Sequence, residues 1–265
     1  MAKLVFLKLG GSLITEKDQA RTPRLNVITR LAAEIAAARA QMPGLRLLVG
    51  HGSGSFGHIP AKKFRTREGV SGQAAWQGFA EVWREARALN QLVVESLASA
   101  GLPVIAFPPS AFMQARDGQP AAPDFDLIFQ ALEAGLLPLV NGDAVFDSVR
   151  GGTIFSTEDV FTALAAKLPP NRILLAGIDA GVFADFPACQ HLIAQITSDS
   201  ASGVLQAIHG SASVDVTGGM REKVDLMLKL TRQIPGLQAQ IFSGAQPGNL
   251  QAALTGAPVG TRISA

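Results

Sequence analysis

The sequence predicts an α/β protein, a three-layer αβα sandwich whose central sheet is mostly parallel. Three observations carry that prediction. Short apolar runs alternate with longer segments of helical spacing, several runs end in glycines, and no repeat of fixed period or low-complexity linker interrupts the pattern. Strands that alternate with helices pair in parallel, and such sheets are covered by helices on both faces.

Residues 4–9 read as a buried strand broken by Gly10-Gly11. Residues 25–41 carry apolar side chains at helical spacing and stop at Pro43-Gly44. Residues 45–50 form a second strand, again leading into glycines. A long helix follows at 72–100, ended by Gly101-Leu102-Pro103, and 104–107 is a third strand. Residues 127–134 are a helix stopped at Gly135, and 137–140 a fourth strand. Residues 144–155 alternate around Arg150-Gly151-Gly152, the pattern of a β-hairpin. Helix returns at 159–168 and strand at 172–176. Residues 182–214 are less regular, with room for short strands and a small helix. Residues 221–233 are helical, 239–243 a strand, and 260–264 a last edge strand. Pro169-Pro170 marks a seam between an N-terminal lobe (about 1–169) and a C-terminal lobe (about 170–265) of one domain, with the sheet continuous across it.

Composition narrows the function. Of 265 residues, 48% are hydrophobic and 17% charged, which fits a well-packed core and excludes a disordered chain. A net charge of +2 is too small to hold nucleic acid or an acidic membrane surface, although basic groups could still gather around a small anion. The one cysteine, Cys189, excludes an intramolecular disulfide framework and reads as a structural thiol. The apolar start is too short for a signal peptide, and nowhere do eighteen apolar residues run together. The expectation is a cytoplasmic protein with no membrane partner.

In this type of sheet, ligands bind at the carboxyl ends of the strands. Three glycine segments sit there or beside a helix start. Lys8-Leu9-Gly10-Gly11-Ser12 follows the first strand, and paired glycines let backbone N–H groups face a phosphate that Lys8 could also reach. The bland alternative is an ordinary turn. His51-Gly52-Ser53-Gly54-Ser55-Phe56-Gly57-His58 follows the second strand and fits the dinucleotide pattern G-x-G-x-x-G. No strand ending in Asp or Glu appears about twenty residues on, and the basic stretch Lys62-Lys63-Phe64-Arg65 intervenes, so the dinucleotide reading fails. What remains is a phosphate-cradling loop with histidines at both ends. His58, closing the loop, is the functional candidate, with a satisfied structural histidine as its alternative; His51 reads as structural before functional, and His191 and His209 take a structural reading. Asp215-Val216-Thr217-Gly218-Gly219-Met220-Arg221-Glu222-Lys223 places glycines before a helix, where free N–H groups suit an anion, with Lys223 one turn in. Its alternative is a glycine cap with a solvated lysine.

Acidic candidates are few. Asp143 follows the fourth strand, and Glu158-Asp159 opens a helix after Ser156-Thr157. The pair either caps that helix or holds the site lysines and orients Mg²⁺. Phosphoryl transfer needs cations and N–H donors around the moving group more than it needs covalent chemistry. Lysines, glycine loops and a carboxylate pair meet that need.

Together these segments resemble the amino acid kinase superfamily, and within it the isopentenyl phosphate kinases. The likeness is carried by Lys-Leu-Gly-Gly-Ser at 8–12, Gly-Ser-Phe-Gly-His at 54–58 with Ala61-Lys62-Lys63 after it, Thr-Gly-Gly-Met-x-x-Lys at 217–223, and Pro-Gly-Asn-Leu at 247–250 before Gly260-Thr261. It runs from the first strand to the last, and Ser-Phe-Gly-His is its most selective part. The resemblance implies the amino acid kinase fold and ATP-dependent, in-line phosphorylation of isopentenyl phosphate. It implies ATP with Mg²⁺, no metal held directly by protein side chains, and a homodimer. Lys8, Gly10, Gly11 and Ser12 would line the ATP phosphates, with Gly54, Asp179, Gly218, Gly219 and Lys223 completing the nucleotide site. Lys8, Lys17, His58 and Lys223 would be catalytic. Ser53, Gly54, Gly57, His58 and Thr157 would hold the acceptor's phosphate. The helix at 72–100 would wall its hydrocarbon tail through Trp76, Phe79, Val82 and Trp83, whose alternative is core packing. Asp143, Glu158 and Asp159 are candidates for ordering the lysines or associating with Mg²⁺.

The chain departs from the family pattern at two points. Ser53 stands where the acceptor loop commonly has a middle glycine. Gly177-Ile178-Asp179-Ala180-Gly181-Val182 replaces the usual Thr-Asp-Val-Asp-Gly-Val, which puts base selectivity in doubt. Two other functions fit the residues: a fosfomycin- or phosphonate-type kinase on the same fold, and a non-catalytic nucleotide-binding storage or regulatory protein.

Overall fold

The computed structural model describes residues 3–121, 123–208 and 219–265. The chain opens with β1 (Leu4–Leu9), the single turn α1 (Gly11–Ile14), α2 (Leu25–Gln41), β2 (Arg46–His51), α3 (Gly54–Phe64) and α4 (Gly72–Ser99). Next come β3 (Val104–Ala106), β4 (Gln114–Arg116), β5 (Gln119–Ala121), α5 (Asp126–Glu133), β6 (Leu137–Asn141), β7 (Asp143–Asp147), β8 (Gly151–Phe155) and α6 (Thr157–Lys167). It ends with β9 (Arg172–Gly177), β10 (Gln195–Ile196), α7 (Ala201–Ala207), α8 (Met220–Gln233), β11 (Gln238–Ser243), α9 (Asn249–Thr255) and β12 (Thr261–Ile263).

Eight strands form the main sheet in the order β10-β12-β11-β9-β1-β2-β6-β3. The strands from β11 to β3 are parallel, while β12 runs antiparallel to β11 and carries β10 alongside it. The sheet therefore crosses Pro169-Pro170 without a break, through the β1–β9 pairing. The expected hairpin at 144–155 is β7–β8, and it belongs to a second, four-stranded sheet with β4 and β5.

Strand alternation divides the core in two. Leu4 and Phe6 face a layer that includes Ile128 of α5, Phe161 and Leu164 of α6 and Met227 of α8. Val5, Leu7 and Leu9 face the opposite layer, with Leu31 of α2, Leu89 of α4 and Leu250 of α9. β1 is buried along its whole length. Lys8, by the same period of two, emerges on the Phe6 side, towards α6. Among the described residues no helix is long and apolar enough to cross a membrane.

The structure differs from the sequence reading in three places. Residues 54–58, read as the end of a loop, belong to α3 (Gly54–Phe64), so His58 lies within a helix instead of closing a loop. Two glycines and Pro60 argue against helix, but burial of Phe56 and Ala61 overrides that propensity. β12, read as an edge strand, lies inside the sheet because β10 pairs with its outer side. The β4–β5 hairpin and α9 had no strong periodic signal.

The two N-terminal glycine segments meet backbone to backbone. A Cβ on Gly11 would stand 2.6 Å from the Gly54 nitrogen, and one on Gly54, whose φ is +49°, would stand 2.2 Å from Thr15 Oγ1. Thr15 Oγ1 donates to Gly11 O at 2.8 Å and accepts from Ser55 N–H at 3.0 Å, tying the segments together. Gly11→Ala is expected to lower stability by about 2–3 kcal/mol through overpacking against backbone that cannot yield. Urea unfolding measures this, and an unchanged midpoint would contradict the close approach.

Candidate active site

The carboxyl ends of β1, β2, β6 and β9 open into a cavity of about 840 Å³, near the upper end of the range for small-molecule sites. Lys8, Gly10, Gly11, Ser12, Lys17 and Asp179 line it, as do Ser53, Gly54, Gly57, His58, Asp143, Thr157, Glu158 and Lys223. Residues chosen from separate sequence segments thus converge on one space. Gly218 lies outside the described residues, as does His209. Gly219 caps the N-terminus of α8 and is not among the lining residues.

Lys8 forms a buried ion pair and hydrogen bond with Glu158, which sits in the first turn of α6. Burial would raise the Glu158 carboxyl, but the Lys8 ammonium overrides it, Lys223 adds to the pull, and the net direction is down. Glu158 is therefore an anion paired with Lys8 and under the electrostatic influence of Lys223. Asp159 does something else: it closes a capping box with Ser156 and lies 3.7 Å from Arg67. Asp143 accepts from the N–H groups of Ser110 (3.1 Å) and Ala144 (2.9 Å). Burial pushes its carboxyl up to about 6, against the pull of those hydrogen bonds and of Arg87. Of the three acidic candidates, Glu158 is the one joined to a lysine.

Thr157 donates its hydroxyl to His51 O at 2.7 Å, fixing the start of α6 against the end of β2. Gly50 permits this fit, since a Cβ there would strike Thr157 Cγ2 at 2.5 Å and the Phe161 ring at 2.8 Å. His51 is fully buried, and burial pushes its imidazole down to about 4, so it is neutral at physiological pH. His58 is half-buried and faces the cavity.

Phe79 and Trp83 lie away from the cavity lining. Phe79 packs with Trp76 and Phe146, at ring separations of 5.3 and 5.2 Å. Trp83 donates its indole N–H to Ser110 Oγ. Val82 and Ala86 supply the α4 wall instead, with Ile154 of β8. The sequence reading also missed Thr15, Asp18 and Arg67, and Phe183 and Phe186, which line the cavity beside Ile178. The last pair lies in a stretch without periodicity, which left no signal to find them by.

The profile of the Amino acid kinase family matches residues 3–243. The chain therefore belongs to the amino acid kinase family, the class that this sheet and its paired glycine loops define. Within it, the chain belongs with the isopentenyl phosphate kinases. It is 34% identical over 271 residues to the isopentenyl phosphate kinase of Methanothermobacter thermautotrophicus, covering 98% of this chain and 99% of that one. Identity to the isopentenyl phosphate kinase of Methanocaldococcus jannaschii is 32% over 268 residues, covering 98% of each. A solved isopentenyl phosphate kinase structure aligns with a TM-score of 0.81 at 30% identity, over 98% of this chain and 100% of that one.

Two buried groups set opposing pH windows. His51 stays neutral in the fold down to about 4 but takes a proton near 6.5 when exposed, so acid in that window favours the unfolded chain. Asp143 keeps its proton up to about 6 in the fold against 3.8 when exposed, so acid in that window favours the fold. The contributions offset each other where the windows overlap. Asp143→Asn is expected to make stability fall more steeply with acidification through this range, by about 3 kcal/mol in all. Urea unfolding across pH reads the slope, and equal slopes for the two proteins would exclude the compensation.

Proposed function

We propose that the protein phosphorylates isopentenyl phosphate to isopentenyl diphosphate with ATP as donor. The observation that carries this reading is the cavity itself, which brings the Lys8–Glu158 pair and His58 together across the Gly11–Gly54 contact. The nearly full-length likeness to isopentenyl phosphate kinases supports the choice of acceptor.

An oxygen of the acceptor's phosphate attacks the γ-phosphorus, the bond from that phosphorus to the β–γ bridging oxygen breaks, and ADP leaves with the electron pair. That oxygen is already ionised, so no general base is required, and His58 serves as a positioning donor. Lys8, Lys17 and Lys223 offset the accumulating negative charge, and Glu158 holds Lys8 in place. The glycines fit a phosphate cradle, because side chains at 11 and 54 would have no room beside the facing loop. Mg²⁺, carried on the nucleotide's phosphates, would supply further charge neutralisation; Glu158 is committed to Lys8. Val82, Ala86 and Ile154 give the N-terminal lobe an apolar wall for the isoprenoid tail, and Ile178, Phe183 and Phe186 give the C-terminal lobe one for the base. The reaction is placed in the cytoplasm, where ATP is available.

A coupled ADP-release assay with isopentenyl phosphate, dimethylallyl phosphate and fosfomycin tests the assignment. Turnover is expected with the first and not with fosfomycin. ATP binding without ADP release on any acceptor would favour a binding protein. His58→Ala is expected to lower kcat/KM for isopentenyl phosphate about 10- to 100-fold, the loss of one charge-assisted hydrogen bond. Near-normal turnover at saturating acceptor would remove His58 from its role.

The family likeness also supports a homodimer. Trp76, Phe146 and Val149 are 37, 56 and 61% exposed, and the Trp76 and Phe146 rings lie 5.8 Å apart, an apolar patch suited to a second copy. Light scattering is expected to give twice the 27.7 kDa chain mass. A monomer mass at micromolar concentration would refute it.

A further inference from the structure

His51 is a buried titratable group that the phosphoryl-transfer steps do not use, yet four segments of the site converge on it. Its Nδ1 lies 3.1 Å from Gly52 O, and its Nε2 lies 3.0 Å from Asn90 Nδ2 on α4. Its own carbonyl accepts from Gly142 N–H at 3.1 Å and from the Thr157 hydroxyl at 2.7 Å. Asn90 also reaches Asn141 Oδ1 at 3.4 Å, and Asn141 Nδ2 donates to Gly142 O at 2.9 Å.

The donor and acceptor inventory fixes the directions. Gly52 O can only accept, so Nδ1 must carry the proton. Burial keeps the ring neutral, so Nε2 is bare and Asn90 must present its NH₂ group there. The Gly52 carbonyl is thereby held inward, and Gly52 N–H is also tied inward, to Leu9 O at 3.0 Å. In a planar trans peptide the N–H points opposite to the carbonyl. The Ser53 N–H must then point away from the His51 ring, and among the described residues it makes no hydrogen bond. Ser53 itself lines the cavity.

We propose that His51, backed by Asn90, is a positioning residue that aims the Ser53 N–H into the cavity as a donor for the acceptor's phosphate. The inference rests on the kinase reading for its acceptor. It assigns a task to the wall helix α4 that is separate from lining the tail: through Asn90, that helix sets the orientation of one loop peptide.

Three measurements test it. In protein labelled with ¹⁵N-histidine, nitrogen NMR at neutral pH is expected to show His51 with the proton on Nδ1 and a bare Nε2; a proton on Nε2 would overturn the proposal. His51→Leu removes the Gly52 contact and is expected to raise KM for isopentenyl phosphate about tenfold or more while KM for ATP stays within about twofold. His51→Asn places an amide donor where Nδ1 was and is expected to recover most of that loss. If His51→Leu does not fold, His51→Asn is compared with wild type, and its acceptor KM is expected to stay within about threefold. Equal rises in both KM values, or an Asn variant no better than the Leu variant, would overturn the proposal and indicate a purely structural histidine. Absent turnover by the wild-type protein would instead sink the kinase reading, with the NMR result still deciding the tautomer.

Discussion

A lysine ammonium at the buried end of the central strand is the constraint around which the rest of the site is arranged. Lys8 belongs to a strand with no exposed residue, and an unpaired charge there would carry a desolvation penalty of several kcal/mol. Glu158 relieves it from the helix layer that Lys8 faces, at the positive end of α6 where a carboxylate is already favoured. For Glu158 to reach, α6 must press onto the sheet, which requires Gly50 under Phe161 and the Ser156–Asp159 capping box at the helix start. The pair is an organiser more than a source of stability, since buried ion pairs roughly break even. Its effect on the site is electrostatic: Glu158 fixes the Lys8 ammonium at the strand end, within a cavity that Lys17 and Lys223 also line.

The 177–182 side of the cavity depends on a different kind of support. Gly177 and Ile178 have no side chains anchored in the core, so their carbonyls are held by neighbours, Gly177 O by Gly244 N–H and Ile178 O by the Ser243 hydroxyl. Val182 N–H donates to Thr261 Oγ1, which brings β12 into the same support. Behind them Glu34 accepts from the N–H groups of Gly248, Leu250 and Gln251, at the N-terminus of α9, while Arg30 reaches Gly244 O. Within residues 177–182, the first two are thus held through backbone contacts, whereas Val182 is buried in the core and a Cβ on Gly181 would stand 2.6 Å from Thr261 Oγ1.

Parts of this arrangement were legible in the sequence because the physics is local. Buried parallel strands read as apolar runs, and a glycine pair after such a run, with a lysine in it, marks a loop at the strand's carboxyl end, here one that lines the cavity. The choice among Asp143, Glu158 and Asp159 was not legible. All three lie near the same strand ends, and only three-dimensional placement puts one beside Lys8, one in a cap and one beneath Ser110. The face of α4 posed a similar difficulty: Phe79 and Val82 are three residues apart, yet Phe79 joins an aromatic cluster while Val82 borders the cavity. α3 was hidden by its own composition, because Gly54, Gly57 and Pro60 disfavour the helix that tertiary burial of Phe56 imposes.

The back-to-back approach of Gly11 and Gly54 has a consequence for how this scaffold could diverge. With no side chain between them, the spacing of the two loops is set by the thickness of two polypeptide backbones, a quantity that point mutation cannot adjust. Directed evolution on this chain would find no intermediate settings there, only intact or broken. Variation would have to come at the periphery, at positions such as Val82, Ala86 and Ile154 on one side and Phe183 and Phe186 on the other, while the spacing of the two loops stays a fixed ruler.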